Sequence, residues 1–81
     1  MYFVYVLKGC RNNFYKGLTN NIERRLNEHL NGENQTTHNM APLKLVHVEV
    51  CLTRSKARRL EKYLKSGYGR EIIKEIDSEL R

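Results

Sequence analysis

The chain opens on six consecutive aromatic or aliphatic residues, Tyr2 to Leu7. An unbroken apolar run of that length, rich in β-branched and ring side chains, predicts a strand covered on both faces. Gly9 and the Asn12-Asn13 pair follow, residue types that accept turn geometry. Phe14 to Thr19 then returns to extended character, so the first two segments predict an antiparallel hairpin. Gly17 sits inside the second strand, where a missing side chain marks a bulge or the close approach of a ligand.

The period then changes. Asn20 or Asn21 can cap a helix whose apolar positions, Ile22, Leu26 and Leu30, recur every fourth residue, and Asn31-Gly32 supplies its stop. Glu33 to Pro42 is polar and rich in Asn and Thr, which predicts a solvent-facing loop. Leu43 to Val50 alternates imperfectly and predicts a third strand. Thr53 caps a second helix from Arg54 to about Lys65, with Ala57, Leu60 and Leu64 on its inner stripe. Ser66-Gly67 ends it, and Tyr68-Gly69 separates it from a third helix that carries Ile72, Ile73 and Ile76 and runs to about Leu80. The expected order is ββαβαα, an α+β domain with a three-stranded antiparallel sheet flanked by helices.

With 81 residues and no repeat, linker or low-complexity run, residues 1–81 read as a single domain. Such a chain buries only ~60–65% of the surface its unfolded form exposes, so its core must be small. Fifteen Lys and Arg against nine Asp and Glu leave a formal charge of +6, which makes a polyanion the first partner to consider, nucleic acid ahead of membrane. No tract is long and apolar enough to cross a bilayer, and the start lacks the basic n-region of a signal peptide. Cys10 and Cys51 form neither a disulfide framework nor paired zinc ligands, so the cytoplasm is the expected compartment.

Several side chains can carry chemistry, and each also has a plain structural reading. Arg25 and His29 lie four apart on the first helix, at the border of its buried stripe, where a solvated flank of Arg24, Arg25 and Glu28 is the simpler account. Glu61 falls close to the stripe of the second helix that faces the sheet. A carboxylate there is costly to desolvate unless it binds a cation or is fully hydrogen-bonded, and an i, i+4 pair with Lys65 would also explain it. Tyr5 and Tyr15, on the two hairpin strands, can meet across the ladder or simply pack. Arg54, Lys56, Arg58, Arg59, Lys62 and Lys65 wrap the second helix as a solvated face or a phosphate track. His38 and His47 have no metal-ligand spacing with each other or with either Cys.

As an ordered set these residues resemble the GIY-YIG nuclease superfamily, and more closely its small stand-alone bacterial branch, often labelled UvrC-like. Phe3-Val4-Tyr5 stands at the first triplet and Tyr15-Lys16-Gly17 at the second; Arg25 follows Gly17 by eight positions, and His29 and Glu61 complete the series. The resemblance implies hydrolysis of DNA phosphodiester bonds, in repair or mobile-element processing, with Glu61 holding one Mg²⁺ or Mn²⁺. A single carboxylate suffices because Mg²⁺ keeps several waters and takes further oxygen from the phosphate. Arg25 would donate its fork to the non-bridging oxygens. Tyr15 is the candidate general base or water-positioning group, Tyr5 its support, and His29 a proton relay or a group that orients the attacking water. Gly17 would let backbone pack closely beneath the site, and Arg24, Arg58, Arg59 and Lys62 would bind nucleic acid.

The chain departs from the family pattern in three places. Phe3 and Val4 replace the glycine and isoleucine of the first triplet, Lys16 takes the middle of the second, and no asparagine follows Asn39. The last absence motivates a second expectation, a nucleic-acid-binding module of the same fold with weak or no turnover. The length leaves no space for a separate targeting domain, so weak, sequence-independent DNA binding is expected, with homodimerisation as one way to strengthen it.

Overall fold

The apolar run forms β1 (Tyr2–Lys8), the central strand of a three-stranded antiparallel sheet. β2 (Phe14–Thr19) pairs on one side, setting Tyr5 opposite Gly17 and Leu7 opposite Tyr15. β3 (Lys44–Cys51) pairs on the other, with Tyr5 opposite Val48. Both faces of the central strand are covered, and Val4, Tyr5, Val6 and Leu7 are all buried. These positions come from a computed structural model that describes residues 1–80; Arg81, the last residue of the expected domain, lies outside them.

Side chains alternate along a strand, so β1 sends Val4 and Val6 to one face and Tyr5 and Leu7 to the other. The first face carries the apolar core. There Val4, Val6 and Val46 pack with Ala57 and Leu64 of α3 (Arg54–Leu64) and Ile73 of α4 (Gly67–Glu79). Lys8 ties the end of β1 to α4 through an ion pair with Asp77 at 2.8 Å. The second face receives α1 (Ile22–Leu30), whose His29 reaches Tyr5. Asn21 and Thr53 cap α1 and α3, each accepting a backbone N–H three residues on.

The observed order is ββααβαα, one element more than the pattern predicts. The polar stretch after α1 is not all solvent-facing loop: it contains the single turn α2 (Gln35–His38), capped by Asn34, and Thr37 within it is fully buried. Periodicity cannot reveal a one-turn helix whose only inward residue is polar. α1 also turns differently from its leucine spacing. Leu30 is 65% exposed while His29 is 2% exposed, so the inward face presents a titratable ring where the pattern suggested a leucine. At the other end, Tyr68 and Gly69 do not separate two helices but lie in the first turn of α4, capped by Ser66. A Cβ on Gly69 would overlap the backbone of Tyr63 and Leu64, so this glycine permits the tight approach of α4 to the end of α3.

Candidate active site

Strand register and helix phase bring four of the sequence-predicted residues to one face of the sheet. Tyr5 and Tyr15 project from neighbouring strands with ring centroids 6.2 Å apart, and the His29 ring lies 5.5 Å from the first and 5.0 Å from the second. The Tyr5 hydroxyl is 2.7 Å from His29 Nε2, and His29 Nδ1 is 2.8 Å from Thr37 Oγ1. Arg25 Nε donates to the same Tyr5 oxygen at 3.4 Å, while its Nη1 meets Glu28 at 3.3 Å.

These contacts define a direction for the protons. Arginine has only donors, so the Tyr5 oxygen accepts from it and directs its own hydrogen to His29 Nε2, the better acceptor. His29 then carries its hydrogen on Nδ1 and donates it to Thr37. The electrostatics agree with this assignment. Burial raises the Tyr5 phenol above its ordinary value, against the opposing hydrogen bond from Arg25, so Tyr5 stays protonated near neutrality. Burial and the Arg25 charge lower His29, which keeps the imidazole neutral. The guanidinium is held charged above all by its hydrogen bond to Tyr5.

Thr37 is the residue that sequence reasoning missed. It fixes the His29 ring from behind, and the single available signal was a threonine amid polar neighbours. At Gly17 the close neighbour is the Tyr5 ring, neither a ligand nor backbone. A Cβ there would run into the Tyr5 phenol, so the glycine is what allows the ring to lie across β2. Gly17→Ala is expected to destabilise the fold by about 1–3 kcal/mol, as overpacking does, and to displace the Tyr5 hydroxyl from His29. Urea unfolding and the His29 NMR shifts check this; an unchanged midpoint with unchanged shifts would count against it.

Glu61 is placed differently. It belongs to α3, which packs on the opposite face of the sheet, and its recorded partner is Lys65 at 3.7 Å. Among the described residues, no hydrogen bond or ion pair joins it to Tyr5, Tyr15, Arg25 or His29. Its stripe on α3 nevertheless borders β2, which among the described residues is an edge strand with no partner on its outer side. Arg54, on that stripe, lines a hollow of about 340 Å³ together with Leu18, Thr19, Arg24 and Arg25. Lys65, further along, is close enough to Lys16 for its charge to depress that ammonium, after burial and Arg70. Glu61 lies seven residues beyond Arg54, close to two turns of ~3.6 residues, and therefore on the same side of the helix.

The two groups thus flank one edge strand, the phenols and guanidinium on one side and the carboxylate on the other. Arg58, Arg59 and Lys62 are exposed on α3, and Arg24 is exposed on α1. No group of three His, Cys, Asp or Glu among the described residues is arranged to hold a metal. Glu61 still fits a hydrated divalent ion. Its side chain is only 15% exposed, and one long contact to a mostly exposed lysine leaves its oxygens with unused acceptor capacity.

Below about pH 6.5 the neutral, buried His29 carries a cost. Its folded value lies below the ordinary 6.5, so the unfolded chain takes up the proton first. Stability from this group is full above 6.5 and falls as pH drops toward the folded value. Urea midpoints measured from pH 8 to pH 5 are expected to decline below 6.5, with a shallower decline in His29→Gln; identical profiles would contradict a neutral His29.

The fold is that of a known class of catalytic domain. Residues 1–75 match the family model described as the GIY-YIG catalytic domain, and the chain belongs to that family of nuclease domains. Its similarity is to the small UPF0213 proteins within it. UPF0213 protein HQ_3675A of Haloquadratum walsbyi is 37% identical over 79 residues, covering 96% of this chain and 88% of the relative. UPF0213 protein CPE1444 of Clostridium perfringens is 38% identical over 66 residues, 80% of this chain and 71% of the relative. The solution NMR structure of UPF0213 protein BH0048 from Bacillus halodurans has the same fold, with a TM-score of 0.59 at 26% identity over 94% of this chain and 85% of that one. Among the described residues no helix is long and apolar enough to cross a membrane.

Proposed function

We propose that this protein is a divalent-metal-dependent endonuclease that hydrolyses DNA phosphodiester bonds, acting in repair or mobile-element processing. The observation that carries the reading is the convergence of Tyr5, Tyr15, Arg25 and His29 on one face beside an open strand edge. Arg25 keeps its charge and offers its fork to the non-bridging oxygens, where negative charge accumulates as the phosphorus is attacked. Tyr5 stays protonated and is committed to His29, which leaves Tyr15 as the phenol that orients the attacking water or accepts its proton. The Tyr5–His29–Thr37 chain holds that arrangement. Glu61 would hold Mg²⁺ or Mn²⁺, whose contribution when bound is to neutralise charge on the phosphoryl oxygens.

Nicking of supercoiled plasmid at low salt tests the reading. Conversion to the open circle is expected with Mg²⁺ or Mn²⁺ and not with chelator, using Glu61→Ala as the blank for contaminating nuclease. Equal nicking by both proteins, or none by either, would overturn it. The second reading, a nucleic-acid-binding module without turnover, is favoured by Glu61 engaging Lys65 rather than the tyrosine cluster, and by the lack of any asparagine after Asn39.

A further inference from the structure

A second hollow, of about 590 Å³, lies where the β1–β2 loop, the start of β2 and α4 meet. Its floor is apolar, formed by Phe14, Met40 and Ile73, and its rim is basic, with Lys16, Arg70 and Lys74. Tyr15 also borders it, on the strand whose opposite face carries the tyrosine cluster. Among the described residues neither Lys16 nor Arg70 has an ion-pair partner, and Lys74 meets only the exposed Glu71, at 3.6 Å. Burial, with the charges of Arg70 and Lys65 beside it, holds Lys16 below the ordinary lysine value. Cations gathered in this way are relieved by an anion. None of the three was expected to bind nucleic acid from the sequence.

We propose that this hollow seats an unpaired nucleotide of a single-stranded DNA segment, next to the phosphodiester that Tyr15 and Arg25 address. The inference rests on the nuclease reading and specifies the form of its substrate. A basic rim alone would serve any polyanion. The apolar floor discriminates, because the bases of a duplex are stacked on one another and present only their edges in the grooves. An unstacked base supplies a flat apolar face that can settle against the Phe14 ring while its phosphates meet Arg70, Lys74 and Lys16. The volume is that of a small-ligand site of ~300–1,000 Å³, suited to one nucleotide and not to a double helix. Asn12 and Asn13, also lining the hollow, bring amides that both donate and accept to the edge of such a base.

The test is binding of the full chain to a fluorescent ten-nucleotide oligothymidylate and to a blunt duplex of equal length, both in chelator over a salt series. Wild type is expected to prefer the single strand. Substituting the two exposed cations together, Arg70→Ala with Lys74→Ala, is expected to weaken that binding ~10-fold or more and to flatten the log–log salt slope by about 1.4, two phosphates at ~0.7 each. Affinity for the duplex should change by less than about twofold. Separately, a 2-aminopurine in the strand is expected to be quenched on binding wild type but not Phe14→Leu, which keeps apolar bulk and removes the ring. Equal losses on both DNA forms, no loss on either, or quenching that survives Phe14→Leu would overturn the proposal. Binding in chelator is independent of turnover, so failure of the plasmid assay alone would remove the nuclease reading and leave this result standing.

Discussion

Glu61→Ala is expected to abolish divalent-dependent nicking while leaving the thermal midpoint nearly unchanged. The contrast follows from what the side chain does in the fold. Its one ion pair, to a lysine whose side chain is 56% exposed, is an i, i+4 contact of the kind that contributes only a few tenths of a kcal/mol. Stability therefore has little to lose. On the proposed metal role chemistry has a great deal, because no group of three or more His, Cys, Asp or Glu among the described residues is arranged to hold the ion in its place. Glu61→Gln should fail equally, since it keeps the size and hydrogen bonding of the side chain but lacks the charge that attracts a hard cation. Circular-dichroism melts and plasmid nicking read the two quantities separately, and a variant that nicks at the wild-type rate would remove the metal role.

Arg25→Lys is expected to slow cleavage by ~10²-fold or more, the scale of losing one electrostatic stabiliser of a transition state. Lysine preserves the charge but not the planar fork, and the fork has two tasks here. One nitrogen, Nε, donates to the Tyr5 oxygen, Nη1 meets Glu28, and the remaining donors of the fork are available to phosphate. A lysine ammonium reaching Tyr5 would not present the same second donor. Single-turnover rates at saturating DNA separate this from weaker binding: the loss is expected in the rate constant, and a loss confined to affinity would reassign Arg25 to the basic surface.

The sheet and its flanking helices were legible because their signals are local. The apolar run of β1, the caps Asn21 and Thr53, and the stop at Asn31-Gly32 each report a backbone requirement that needs no knowledge of the rest of the fold. What stayed hidden depends on tertiary placement. Thr37 is polar, in a polar stretch, and only its burial against His29 distinguishes it from its neighbours. His29 faces inward in place of Leu30 because α1 presents its hydrogen-bonding side to Tyr5, which outweighs the leucine spacing. The tyrosines, Arg25 and His29 were recognisable as an ordered set, yet spacing could not tell that Glu61 would stand on the other face of the sheet. That separation follows from the chain order: α3 comes after β3 and packs on Val4 and Val6, whereas α1 comes directly after β2 and covers Tyr5.

On the proposed function, the free edge of β2 joins these two faces into one site. Paramagnetic broadening by Mn²⁺ tests it most directly. In NMR spectra of the full chain, Mn²⁺ added below stoichiometry should broaden the ring resonances of Tyr15 and His29 far more than those of His47, which lies on β3 at the opposite side of the sheet, and Glu61→Ala should cancel the effect. Equal broadening at His47, or broadening of Tyr15 and His29 that persists without the Glu61 carboxylate, would contradict it.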